Sequence, residues 1–141
     1  MSDEHPKVVI IPCSGIGKSF GTVSRMAAFL VTERDLPEQT CLVPLALLVM
    51  GDEASRKIVA ESKAIAIDGC KLACATKMVL QSGGQIEQSF AVLEAYRRRR
   101  EFKPEGIAEL NKGGEQLADA LAREIDEVVG EVIKREGDSH A

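Results

Sequence analysis

Histidine is nearly absent from this chain: its two histidines, His5 and His140, both lie in the terminal segments. We therefore expect thiolates rather than imidazoles to hold any closed metal site. Neither histidine is placed to act as a general acid or base, and no pair of carboxylates stands out. The sequence nominates no catalytic residue and leaves open whether the protein is an enzyme.

Long apolar stretches are also missing. The longest run, Leu42 to Met50, contains Pro44 and is about half as long as a bilayer-spanning helix must be. Such a run belongs either to the core or to a dimer contact. Residues 1–6 are acidic and polar, whereas a secretory signal is basic and then apolar. We expect a cytoplasmic protein without a membrane span.

The composition is that of a globular domain. Of the 141 residues, 45% are hydrophobic and 28% are charged, and the net charge of −4 argues against a general nucleic-acid or membrane-surface partner. A chain of this size does not need disulfides to fold. In a reducing compartment its four cysteines are therefore metal ligands, redox thiols or core residues rather than a disulfide framework.

Strand and helix patterns alternate along the chain. Strands are predicted at 7–12, 38–42, 64–67 and 86–93, and helices at 19–32, 52–62, 71–80 and about 104–136. Segment 44–50 fits either a buried strand or a covered helical turn. Gly113-Gly114 interrupts the apolar stripe of the last element, which is therefore predicted to be either one long helix or a kinked pair of helices. These patterns predict a single α/β domain over residues 1–141. We expect a three-layer sandwich with a mainly parallel sheet of four or five strands, Rossmann-like or flavodoxin-like.

The central motif is the apolar run from Ala64 that ends in Asp68-Gly69-Cys70. A helix starting at Lys71 would place Cys70 and Cys74 on one face, with Cβ atoms roughly 5–6 Å apart. Asp68 is interpreted as the helix cap, or as an acceptor that orients metal ligands and backbone N–H groups. Gly69 is expected to allow close backbone approach.

Three cysteines follow or end predicted strands: Cys13, Cys41 and Cys70. Because parallel strands bring their carboxyl ends to one edge, we expect these residues to be neighbours there, together with Cys74. Four thiolates suit zinc or an iron–sulfur cluster. The alternative is that Cys41 and Cys74 are small buried apolar residues.

The loop after the first strand is rich in glycine. It comes close to a nucleotide-binding phosphate loop, but Pro12 stands where the first glycine belongs, which argues against nucleotide hydrolysis. It also lacks the arginine of the C-x-x-x-x-x-R phosphatase loop, whose position holds Ser19. Its N–H groups and lysine remain candidates for binding a small anion: Ser14, Gly15, Gly17 and Lys18.

Three segments together resemble the DGC-domain family, which is named after an Asp-Gly-Cys motif and described as zinc-binding. They are Cys13-Ser14-Gly15-Ile16-Gly17-Lys18, Cys41-Leu42, and Ile67-Asp68-Gly69-Cys70-Lys71-Leu72-Ala73-Cys74. The resemblance spans Val8 to Leu93 and implies four chelating cysteines: Cys13, Cys41, Cys70 and Cys74. It implies no particular biological process.

These observations lead to three hypotheses. The first is a zinc-binding protein, in which the metal is structural or keeps a position open for a substrate such as a small anion or a thiol. The second is a thiol redox enzyme in which Cys70 attacks and Cys74 or Cys13 resolves. The third is an iron–sulfur protein. Outside this motif, the basic run Arg97 to Arg100 fits a solvated face or turn, or a contact with an acidic partner or nucleic acid.

Overall fold

Four short strands form one sheet, in which every neighbouring pair is parallel. The computed structural model describes residues 8–13, 18–69 and 72–139. The strands are β1 (Val8–Pro12), β2 (Thr40–Leu42), β3 (Lys63–Asp68) and β4 (Gln85–Ala91), in the order β2-β1-β3-β4. This confirms the predicted α/β class and parallel sheet.

In the part of the chain that the structure describes, six helices cover the two faces of the sheet. They are α1 (Ser19–Phe29), which continues as a π-helical segment (Leu30–Asp35), α2 (Leu45–Val49), α3 (Glu53–Glu61), α4 (Cys74–Gln81), α5 (Val92–Arg97) and α6 (Lys112–Ser139). Among the described residues, no helix is both long enough and apolar enough to cross a bilayer.

Alternating side chains of the strands build two apolar layers, one on each face of the sheet. Val8 and Ile10 of β1 face α1, α5 and α6, whereas Val9 and Ile11 face α2, α3 and α4. Strands buried on both faces need continuous apolar runs, and the central strands have them. The sequence therefore specifies a three-layer α/β/α sandwich.

Segment 44–50, which the sequence left ambiguous, is helical from Leu45 to Val49. Leu45 and Leu48 are buried in the second layer, whereas Val49 and Met50 are 65% and 74% exposed. One face of this apolar segment therefore belongs to the core, and its other face is exposed.

The fourth strand and the last helix do not have their predicted bounds. The fourth strand ends at Ala91, and the following residues form α5. The last helix begins at Lys112 instead of about residue 104, because Asn111 caps it: its Oδ1 accepts a hydrogen bond from Gly114 N at 2.8 Å. A Cβ at Gly113 would lie 2.6 Å from Lys103 O. The absence of a side chain at Gly113 therefore allows the backbone of Lys103 to pack against the first turn of α6.

The basic run pairs with glutamates of the same chain. Arg97 binds Glu94 at 2.8 Å, while Arg98 and Arg99 bind the two carboxylate oxygens of Glu124 at 2.9 and 2.6 Å. Arg97 therefore forms an ion pair within α5. Arg98 and Arg99, just after α5, connect its end to α6.

Candidate metal centre

The switch point of the sheet lies between β1 and β3. From β1 the chain crosses to β2 through α1 on one face, and from β3 it crosses to β4 through α4 on the other. Loops that leave neighbouring strands toward opposite faces open a crevice at their carboxyl ends, where ligands bind in open α/β sheets. Cys13 follows β1 directly and Asp68 ends β3, so both stand at this crevice.

Cys13 is held by its backbone from both sides. Its N–H donates to Ile67 O of β3 at 2.8 Å, and its carbonyl oxygen lies 3.0 Å from the buried Ser24 hydroxyl of α1. The residue is 6% exposed. The backbone of Cys13 is therefore fixed beside the end of β3, and its side chain is buried.

Asp68 binds the start of α4. Its Oδ1 accepts hydrogen bonds from Ala75 N at 3.0 Å and Thr76 N at 3.4 Å, and its Oδ2 accepts one from the Thr76 hydroxyl at 2.6 Å. The Thr76 hydroxyl also lies 2.8 Å from Ser89 Oγ of β4. At 6% exposure, the carboxylate gains charge-assisted hydrogen bonds that offset its burial. Asp68 thus satisfies N–H groups of the helix start from across the loop.

Cys74 is the first residue of α4, and the predicted helix start at Lys71 was wrong. Ala73 before it has φ of 55°, a left-handed conformation uncommon for alanine, which separates the loop from the helix. Because the helix begins only at Cys74, helical geometry does not place Cys70 and Cys74 on one face. Cys74 is half-buried and packs against the second apolar layer.

Gly69 contacts the backbone of α1. A Cβ there would lie 3.2 Å from both N and Cα of Gly21 and 3.3 Å from the carbonyl carbon of Phe20. The expected close approach is therefore present, between the loop after β3 and the first turn of α1. At this contact Gly69, which follows β3, lies against the helix that follows β1.

Cys41 lies away from this edge. It is the middle residue of β2 and is in register with Val9, four residues before Cys13 on β1, which corresponds to roughly 13 Å along the strands. Its side chain packs with the second apolar layer, and burial raises the pKa of the Cys41 thiol. The structure brings Cys13 and Asp68 together but does not bring Cys41 to them.

Several predicted site residues lie outside the described residues: Ser14, Gly15, Gly17 and Cys70. Lys18 is exposed and precedes α1, where its side chain makes no capping hydrogen bond. Within residues 8–13, 18–69 and 72–139, no three histidine, cysteine or acidic side chains form a group that could hold a metal ion. The cysteines described there form no disulfide.

Sequence reasoning missed Ser24 and Thr76, which hold the backbone of Cys13 and the carboxylate of Asp68. Both are hydroxyl residues inside otherwise apolar helical patterns. Ser24 is buried and Thr76 is half-buried, and a hydroxyl covered in this way needs a polar partner. This signal could have identified both residues.

Comparison with known families gives one result. The family model described as DGC domain matches residues 9–132. No curated protein and no solved structure matches the chain.

Proposed function

The chain belongs to the DGC-domain family, and from this premise we propose that it binds zinc at the carboxyl edge of its sheet. The proposed ligands are Cys13, Cys70 and Cys74. The observation that supports this most is the position of Cys13 and Asp68 at the ends of β1 and β3, on either side of the switch point.

The donor set suits the metal. Zinc binds cysteine thiolates at about 2.3 Å, so two sulfur atoms on one ion lie within about 4–5 Å of each other. Cys70 enters the proposal by its sequence position alone, directly after Gly69. Cys74 opens the helix that Asp68 binds, and Gly69 keeps the loop between them against α1.

We leave Cys41 out of the ligand set. Its register on β2 separates it from Cys13 by roughly 13 Å along the sheet, which is far more than a shared ion allows. Zinc also requires the thiolate, and burial of Cys41 favours its thiol. We interpret Cys41 as a packing residue of the second apolar layer.

Three protein ligands suit a site with an open position. Zinc sites with four protein ligands are structural, whereas three ligands leave room for water or a substrate, which the metal then polarises as a Lewis acid. Asp68 acts here as a positioning residue. Its three hydrogen bonds to Ala75 and Thr76 fix the start of α4 and with it the backbone of Cys74.

Elemental analysis of protein purified under reducing conditions tests the proposal. We expect about one zinc per chain in the wild type. Cys70→Ser should lose most of this zinc, whereas the matched control Cys41→Ser should retain it. Equal loss in both variants would refute the ligand set proposed here.

Two other outcomes would replace the proposal. Metal-free wild-type protein with one rapidly alkylated thiol of low pKa would support the thiol redox enzyme. Visible absorbance in anaerobically purified protein, together with iron in the elemental analysis, would support the iron–sulfur cluster.

A further inference from the structure

A cavity of about 270 Å³ opens at the carboxyl ends of β1 and β2, between α1 and α2. Pro12 and Cys13 from the end of β1 and Leu42 from β2 form its sheet side. The cavity extends from Cys13 toward β2, whereas Asp68 and Cys74 belong to the β3 side of the sheet edge. It shares Cys13 with the proposed zinc site and otherwise lies beside that site.

The walls of the cavity are apolar. Phe29 of α1 and Leu45 and Ala46 of α2 line it, and among the described lining residues Arg25 alone is charged. The guanidinium of Arg25 donates to Thr22 Oγ1 at 3.1 Å, so it already has a partner on its own helix. A ligand here gains from burying hydrocarbon and finds little to compensate a charge.

The size and depth of the cavity suit one small molecule. An apolar cavity of about 150 Å³ holds a benzene molecule in an engineered protein. The cavity here has room for a somewhat larger ring compound, but not for a helix. Phe29 at its rim is 47% exposed, whereas Cys13 is 6% exposed, so a ligand entering past Phe29 would reach Cys13.

We propose that this cavity binds a small uncharged apolar molecule, such as a substituted benzene, against Cys13. Most of the ligand surface would be buried between Phe29 and Leu45, as in small-molecule sites generally. Cys13 is also a proposed zinc ligand, but the lining residues that would hold the molecule do not include Cys74 or Asp68. Zinc content is measured on the same samples, so loss of the metal and loss of ligand binding are separate results.

Toluene is the probe. The chain has four phenylalanines, one tyrosine and no tryptophan, so the aromatic signals of toluene are easily resolved in saturation-transfer NMR. We expect saturation transfer to toluene at about 1 mM and a dissociation constant of that order by calorimetry. No transfer and no heat at this concentration would overturn the proposal.

Matched variants locate the binding site. Ala46 is an exposed lining residue, so Ala46→Phe would place a ring at the mouth of the cavity and should weaken toluene binding about tenfold or more, and Ala46→Leu, a smaller change, should weaken it less. Ala54→Phe adds the same ring to an exposed position of α3 and should leave binding within about twofold. Circular dichroism verifies folding of each variant. Equal effects of Ala46→Phe and Ala54→Phe would contradict the assignment.

Sedimentation velocity tests the alternative that a second copy of the chain, rather than a small molecule, covers the cavity. The proposal expects toluene to leave the sedimentation coefficient unchanged. A dimer that Ala46→Phe dissociates would show instead that another chain covers this cavity, and would overturn the small-molecule assignment.

Discussion

Gly69, just after β3, contacts the first turn of α1. An added methyl group would lie 3.2–3.3 Å from backbone atoms of Phe20 and Gly21, which have no rotamer that would relieve the contact. We expect Gly69→Ala to lower the free energy of unfolding by about 1–2 kcal/mol in urea titrations.

Gly130 provides the control for this change. It lies in α6, and a Cβ there would meet nothing within 4 Å. Gly130→Ala should raise the unfolding free energy by about 0.5–1 kcal/mol, since alanine is the better helix former. If Gly69→Ala were as stable as the wild type, the contact with α1 would not be tight.

Asp126 of α6 is the most strongly perturbed carboxyl described. Burial and interaction with Asp35 raise its pKa from 3.8 to about 7, although Arg34 opposes the shift. Arg34 also binds Asp35 at 2.6 Å and Asp119 at 2.8 Å. One proton is therefore held within a group of three carboxyls and one guanidinium where the π-helical segment packs on α6.

The sign of the pH effect follows from this pKa. A carboxyl whose folded pKa lies above its unfolded value binds its proton more tightly when folded, so stability decreases as pH rises from about 4 to about 7. Asp126→Asn keeps the neutral form at every pH. Because the group is partly exposed, we expect the variant to be more stable than wild type by about 1 kcal/mol at pH 8.

Urea titrations at pH 4.5 and 8 measure this effect. At pH 4.5 wild type and Asp126→Asn should differ little, because the wild-type carboxyl is then mostly protonated in the folded state. Glu127→Gln, at an exposed position of the same helix, controls for the change in net charge. The same stability difference at both pH values would contradict the assigned pKa.

At the scale of the element, α6 depends on Asn111 for its start. The Asn111 side chain accepts hydrogen bonds from Gly114 N and Glu105 N and donates one to Lys103 O, all at 2.8–3.0 Å. Asn111→Ala should lower the unfolding free energy by about 1 kcal/mol. Asn111→Asp keeps the accepting oxygen and should lose less; equal losses in both variants would show that the cap contributes little.

Element types were easier to predict than element ends. β1, α1 and β3 follow from apolar runs and helical spacing within a few residues. The starts of α4 and α6 could not be predicted in this way. Asp68 caps α4 although it lies six residues before Cys74, and Gly113 of α6 packs closely against the backbone of Lys103. Such contacts depend on tertiary packing, which local pattern does not describe.

At the scale of the molecule, alternating strand and helix patterns were sufficient to predict the parallel three-layer fold. Because every strand-to-helix loop leaves a parallel sheet at one edge, they also predicted Cys13 and Cys70 as neighbours there. The structure places Cys13 beside the end of β3, where Asp68 lies, and Cys70 itself lies outside the described residues. The position of Cys41 was not predictable in this way. It depends on the register of β2 against β1, and the short β2 ends two residues before the level of Pro12.

The whole account depends on which sulfur atoms share one metal ion. The most direct measurement is the zinc affinity of Cys13→Ser and Cys41→Ser, by competition with a chromophoric chelator. We predict that Cys13→Ser weakens zinc binding by about 100-fold or more and that Cys41→Ser changes it by less than about threefold. Comparable losses in the two variants would contradict a site built at the ends of β1 and β3.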